Sequence, residues 1–234
     1  MLKVLAYKFI YFDLDDTLLD HRSAERAALL DVHAHFSLFK ETNTEALIDI
    51  YHQVNSMQWA QYSGGEISRQ ELQRNRFEQT LEKLNLDSSD YARIGQYYIA
   101  CYRNHWQWIE GAEALYQRVV QKYPVGILTN GFAETQRKKL DDFGLYRSAE
   151  HVVISEDVGA LKPDPKVFEY ATRQTGLDKN DILYVGDSYR SDIEGATNFG
   201  WDTAWFTQNG DSAKQKKAQF VFSDFNDLSN YIRI

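Results

Sequence analysis

Cysteine is nearly missing from this chain. Cys101 is the single one among 234 residues, so no internal disulfide can form, and such a composition fits a reducing cytoplasm. Proline is scarce, at three residues, and no low-complexity or repeated segment interrupts the sequence. No apolar run approaches the roughly 20 residues that span a bilayer. The stretch from Met1 to Phe12 has some apolar character, but Lys8 breaks it, no small-residue cleavage site follows, and it runs straight into aspartates. It reads as a strand rather than a signal peptide, and the chain is expected to stay in the cytoplasm.

Positive charge is in deficit. Lysine and arginine number 26 against 34 aspartates and glutamates, a net charge of −8. That balance argues against a protein that grips nucleic acid through its phosphates. A small phosphorylated metabolite is still admissible, because a few local cations can hold one against an acidic background. The six histidines, His21, His33, His35, His52, His105 and His151, show no ligand spacing such as H-E-x-x-H, and neither a Walker loop nor G-x-G-x-x-G is present.

What is there is an alternation of strands and helices. Phe9-Ile10-Tyr11-Phe12 is apolar without period-two alternation, as expected of a strand buried on both faces of a parallel sheet. Val125–Leu128, Val152–Ile154 and Ile182–Val185 repeat the signal, and Thr203–Phe206 and Phe220–Phe222 add weaker strands, the last before a final helix. Between them lie helical patterns over Ala133–Phe143, closed by Gly144, and Pro165–Gln174, closed near Gly176, the second opened by Asp164 as cap with proline at the first helical position. The implied architecture is an α/β fold, a doubly wound parallel sheet of the Rossmann-like kind.

Residues 21–108 differ. They hold no buried-strand signal and look helical throughout. Thr42-x-x-Glu45 and Ser68-x-x-Glu71 match the capping box, Gly64-Gly65 ends one helix, and Asp87-Ser88-Ser89 begins another. The expected organisation is a core of residues 1–20 and 109–234 interrupted by a helical insertion, placed where ligands bind in open α/β folds and suited to act as a lid.

Four clusters fall at or just after predicted strand ends: Asp13-Leu14-Asp15-Asp16-Thr17; Thr129-Asn130-Gly131; Lys162 within Leu161-Lys162-Pro163-Asp164-Pro165; and Gly186-Asp187 through Asp192. Each alone has an ordinary explanation, as a turn, a solvated lysine or a helix cap. Together, carboxylates, a hydroxyl and a lysine at one sheet edge make a hard-oxygen cation site beside an anion site, as phosphoryl transfer requires.

In this order the clusters resemble the four motifs of the haloacid dehalogenase superfamily. Asp13, Asp15 and Thr17 match D-x-D-x-T, Thr129 the second motif, Lys162 the basic motif, and Gly186, Asp187 and Asp192 the G-D-x-x-x-x-D motif. The stretch Ser155–Pro165 is similar to members with a helical cap inserted after the first motif. The resemblance implies that Asp13 is a nucleophile forming an aspartyl-phosphate, that Asp15 is the acid and then the base, and that Thr17 orients Asp15. Mg²⁺ would be held by a carboxylate oxygen of Asp13, the backbone carbonyl of Asp15, and Asp187. Asp192 would act through water or Lys162. Lys162, Thr129 and Asn130 would meet the phosphate.

Dehalogenating members lack an acid at the position of Asp15, so the resemblance favours a phosphatase. It extends to bacterial capped members that include pyrimidine nucleoside 5′-monophosphatases, which makes a nucleotidase the leading expectation. A sugar-phosphate phosphatase or phosphomutase shares the core, and a non-catalytic phosphate-binding regulator is a further alternative. In the insertion, Trp59, Tyr62, Arg69, Arg74, Arg76 and Phe77 are candidates for substrate contacts, with helix packing or solvation the plainer role for each. Trp201 and Trp205 flank a strand and read as packing residues.

Overall fold

The structure is a computed structural model that describes residues 7–207 and 217–234. The first strand, β1, spans Phe9–Phe12. The part of the Met1–Phe12 strand expectation that covers residues 1–6 lies outside the described residues. Beyond β1 the chain divides into two compact units, one made of the stretches up to Asp20 and from Trp108, the other running from His21 to Gln107.

The second unit holds four long helices: α1 (His21–His35), α2 (Thr44–Ser63), α3 (Arg69–Lys83) and α4 (Tyr91–Asn104). Their shared core is built from Ala24, Ala28 and Leu29 of α1, Leu47 and Tyr51 of α2, Phe77 and Leu81 of α3, and Ile94 and Tyr98 of α4. Ser68 and Glu71 form the full reciprocal capping box expected for α3. The start of α2 corrects the sequence reading. Asn43, not Thr42, is its cap, accepting from Ala46 N at 3.1 Å. Asn43 is an equally competent cap one residue on, and Glu45 pairs instead with Arg26 at 2.9 and 2.5 Å. Likewise Asp87 does not open a helix. It closes a local turn by accepting from the Ser89 backbone and hydroxyl, both at 2.9 Å, and α4 begins later, at Tyr91.

The first unit continues with α5 (Ala112–Val120), β2 (Val125–Thr129), α6 (Ala133–Asp142), the short α7 (Leu145–Ser148), β3 (His151–Ile154), the short α8 (Ser155–Val158) and α9 (Pro165–Thr175). Then come β4 (Ile182–Gly186), α10 (Gly195–Phe199), β5 (Asp202–Phe206), β6 (Phe220–Phe222) and α11 (Phe225–Tyr231). The strands form one parallel sheet in the order β3-β2-β1-β4-β5-β6.

Both faces of the sheet are covered, which is why its central strands read as unbroken apolar runs. Ile10, Phe12, Ile127, Leu183 and Val185 enter one core; Phe9, Tyr11, Leu128, Ile182 and Tyr184 enter the other. Trp201 closes the second core, stacked on Tyr11 with ring centroids 5.2 Å apart. The chain runs outward from β1 through β2 to β3, then returns to the other side of β1 to form β4. The direction of winding therefore reverses between β1 and β4, and the carboxyl ends at that switch are where open α/β folds bind ligands.

Candidate active site

Asp13 follows β1 directly and continues its ladder, its N–H donating to Val185 O at 2.8 Å. Asp187 follows the last residue of β4, so the switch point itself delivers two carboxylates. Thr17 ties them together: its hydroxyl lies 3.3 Å from Asp13 Oδ2 and 3.4 Å from Asp187 Oδ1. The sequence reading gave Thr17 the orientation of Asp15; the hydroxyl contacts seen here are to Asp13 and Asp187. The chain turns after Asp15, with Asp16 at φ +60°, and the hydroxyl is brought back over the strand end.

Lys162 is buried, and its ammonium is the charge centre of the site. Nζ lies 2.6 Å from Asp13 Oδ1 and 2.8 Å from Asp192 Oδ1, and donates to Tyr184 Oη at 2.7 Å and Leu128 O at 3.1 Å. Burial works against its charged form, but Asp13 and Asp192 outweigh that and hold its pKa above the ordinary lysine value. Burial likewise pushes Asp13 up to about 7; Lys162 opposes the rise, while Asp192 and Asp15 add to it. One buried lysine is shared between carboxylates, so the negative charge is only partly compensated.

Asp192 is fully buried. It is carried on a wide π-type turn over Tyr189–Glu194, opened by Ser188, whose hydroxyl accepts from Ser191 N. Asp192 Oδ2 accepts from Ser188 N at 2.9 Å. Gly186 is required here, because a Cβ on it would stand 2.6 Å from Asp192 Cβ and Oδ2. Trp205 does more than pack: its indole N–H donates to Asp187 O at 2.8 Å, fixing the backbone of that residue.

Thr129 ends β2, wholly buried. Its hydroxyl donates to Asn130 O at 3.1 Å and accepts from Gln136 Nε2 at 2.7 Å. The Asn130 side chain, expected to meet the substrate, is engaged inside the protein. Its Nδ2 donates to Lys162 O at 3.0 Å, and its Oδ1 accepts from Lys162 N at 2.9 Å and Ser155 Oγ at 2.6 Å. Asn130 thus braces the segment that presents Lys162.

Asp15 is held by side chains of α6. Its Oδ1 pairs with Lys139 Nζ at 2.5 Å and its Oδ2 accepts from Gln136 Nε2 at 2.9 Å. Neither partner was expected from the sequence. Both lie on the inward face of α6, with Ala133 and Leu140, and a glutamine and a lysine on the buried stripe of an amphipathic helix were the signal available.

The acidic set can be tested for a metal. Asp13, Asp187 and Asp192 offer carboxylate oxygens all within 4.8 Å of one another. Lys162 contacts both Asp13 and Asp192, and Asp13 and Asp187 converge on the Thr17 hydroxyl. A hard divalent cation fits that oxygen set.

In the helical unit the candidate contact residues separate. Phe77 is core, and Arg76 is buried with its guanidinium 5.4 Å over the Phe77 ring and 5.6 Å over the Tyr98 ring. Arg74 is on the surface, 3.2 Å from Glu78, yet both arginines line a cavity of about 430 Å³ between α3 and α4, with Gln70, Gln73, Tyr91 and Gln96. Trp59 and Tyr62 pack edge to face, centroids 5.7 Å apart. Arg69 begins α3.

The sequence profile described as haloacid dehalogenase-like hydrolase matches residues 10–206. Pyrimidine 5′-nucleotidase YjjG of Escherichia coli (strain K12) is 33% identical over 202 residues, 86% of this chain and 86% of its own. Pyrimidine 5′-nucleotidase PynA of Streptococcus pneumoniae (strain ATCC BAA-255 / R6) is 34% identical over 207 residues, 86% of this chain and 84% of its own. Among solved structures, the magnesium-bound HAD-hydrolase YfnB of Bacillus subtilis superposes with a TM-score of 0.86 at 28% identity, covering 97% of this chain and 99% of that one.

Proposed function

The chain belongs to the haloacid dehalogenase-like hydrolase family, and from that premise we propose that it is a Mg²⁺-dependent phosphomonoesterase with Asp13 as nucleophile. The observation that carries the reading is the buried lysine shared by Asp13 and Asp192 beside a separately held Asp15. In the first step an Asp13 carboxylate oxygen forms a bond to phosphorus while the ester P–O bond breaks. The electron pair leaves with the ester oxygen, which takes a proton from Asp15. In the second step water attacks the aspartyl-phosphate, Asp15 takes the water's proton, and the Asp13–phosphorus bond breaks to release phosphate.

Lys162 screens the approach of the carboxylate to the phosphate. Asp13, the Asp15 carbonyl and Asp187 would hold Mg²⁺, with Asp192 acting through Lys162. The ion would supply positive charge against the phosphoryl oxygens. Retention of an acid at Asp15 favours phosphate esters over haloacids, since a halide leaves without a proton. Residues 21–107 are proposed to act as the cap domain that selects the substrate. A nucleoside 5′-monophosphate with a pyrimidine base is the proposed substrate, on the names of the relatives.

A screen of nucleoside monophosphates and sugar phosphates with Mg²⁺, with Asp13→Asn as blank, tests both levels. Preference for pyrimidine nucleotides supports the whole reading. A profile dominated by sugar phosphates removes the substrate and keeps the reaction. Turnover that survives Asp13→Asn removes the nucleophile.

A further inference from the structure

We propose that Lys139 and Gln136 are positioning residues that clamp the Asp15 carboxylate in the orientation needed to serve the leaving oxygen, an inference that rests on the phosphomonoesterase reading above. The two oxygens of Asp15 are held by different donors: Oδ1 by Lys139 Nζ at 2.5 Å and Oδ2 by Gln136 Nε2 at 2.9 Å. One donor would leave the carboxylate free to turn about its terminal torsion, which is broad for an aspartate. Donors on separate oxygens fix its plane. They are three apart on α6, hence neighbours on one helix face.

The burial of these donors is what a merely structural helix would avoid. The Lys139 side chain is 2% exposed and that of Asp15 25%. Taking an ammonium out of water is unfavourable unless its partner is well placed, and a hydrophobic residue at such a position is often as stable or more so. Leu140, next to it, fills an inward position in the ordinary way.

The turn before α6 is shaped around the glutamine. Gln136 is 1% exposed, and its Nε2 also contacts Thr129 Oγ1 at 2.7 Å and Asn130 O at 3.0 Å. Gly131 has φ +134°, and a Cβ there would come within 3.0 Å of Gln136 Cδ. So the end of β2, the turn and the acid/base carboxylate are referenced to one amide. Each oxygen of a carboxylate has a second lone pair, so the clamp leaves room for the proton that Asp15 gives up and regains.

The test compares first-turnover release of the leaving group from a nucleoside 5′-monophosphate, whose alkoxide needs a proton, with release from 2,4-dinitrophenyl phosphate, whose phenolate does not. General acid catalysis contributes typically 10²–10⁴-fold, so Lys139→Met is expected to slow the nucleotide about ten- to a hundredfold and the activated ester less than about threefold. KM should stay within about twofold, as for loss of an interaction realised in the transition state. Lys139→Arg should restore most of the loss, and in an Asp15→Asn background Lys139→Met should add nothing. Gln136→Leu, read the same way, serves if Lys139→Met fails to fold. Equal losses on both esters, or an undiminished effect of Lys139→Met in the Asp15→Asn background, would overturn the clamp. Turnover retained in Asp13→Asn would instead overturn Asp13 as the nucleophile of the proposed reaction, and the two failures are distinct.

Discussion

Lys162 Nζ lies 2.6 Å from Asp13 Oδ1, with both residues buried at the end of β1. The contact joins residues 149 positions apart in sequence. It places a fixed cation against the carboxylate proposed as the nucleophile.

Removing that cation is expected to damage chemistry and stability together. Lys162→Met leaves Asp13 and Asp192 facing each other without compensation, and breaking a buried pair this way destabilises by about 3–5 kcal/mol. Urea unfolding of wild type and variant reads the difference, and turnover should fall by at least about a hundredfold, the loss typical of an oxyanion-type contact. A variant that unfolds like wild type would show that the carboxylates tolerate each other without the lysine.

Metal removal gives a second outcome. If Asp13 and Asp187 hold Mg²⁺ as proposed, chelation should abolish turnover, and Mg²⁺ at a hundredfold excess over its Kd should stabilise the fold by about 2.7 kcal/mol. Asp187→Asn should lose most of that Mg²⁺-dependent gain in melting temperature. Full activity in excess chelator would remove the cation from the proposal.

Gly186→Ala probes the packing of Asp192 without touching a charge. The added Cβ meets the Asp192 side chain at 2.6 Å, so the π-type turn must shift and carry the Lys162 partner with it. Overpacking of this kind costs about 1–3 kcal/mol. Thermal melts and kcat should both fall; an unchanged kcat would mean that the site absorbs the shift.

The helical unit should carry its own pH dependence. Burial opposes ionisation of Glu25, but a bond from His52 at 2.8 Å, helped by His21 and Arg76, holds its pKa below the ordinary 4.5. The Glu25 contact in turn raises His52 above its ordinary 6.5. The stability from Glu25 is present above pH 4.5 and is lost as pH falls through its lowered value. That from His52 is complete below pH 6.5 and is lost as pH rises through its raised value. The pair should therefore stabilise most between about pH 4.5 and 6.5. Melting temperatures of wild type and His52→Gln from pH 5 to 9 should converge on the alkaline side; parallel curves throughout would rule the pair out.

Local signals carried much of this protein into view. Phe9–Phe12 and Ile182–Val185 announced doubly covered strands because burial on both sheet faces removes alternation. Asp164-Pro165 and Ser68-x-x-Glu71 marked helix starts because capping is local chemistry. Where neighbouring residues compete for the same cap, as Thr42 and Asn43 do, the pattern points one position away from the residue that wins. Asp13, Asp187 and Lys162 were legible as a set because each sits at or beyond a predicted strand end, and a parallel sheet gathers those ends on one edge.

What only tertiary structure decided is how the gathered groups pair. The Thr17 hydroxyl met Asp13 and Asp187, the Asn130 amide was drawn into bracing Lys162, and Asp15 met Gln136 and Lys139, residues 121 and 124 positions away. The physical reason is range. Periodicity and capping depend on neighbours within a turn or two of the chain, so the sequence by itself determined the strands, the helical insertion and which acidic, hydroxyl and basic residues fall at or beyond strand ends. Hydrogen bonds between strand ends and helix faces depend on distances set by the packed sheet, and no spacing along the chain encodes them.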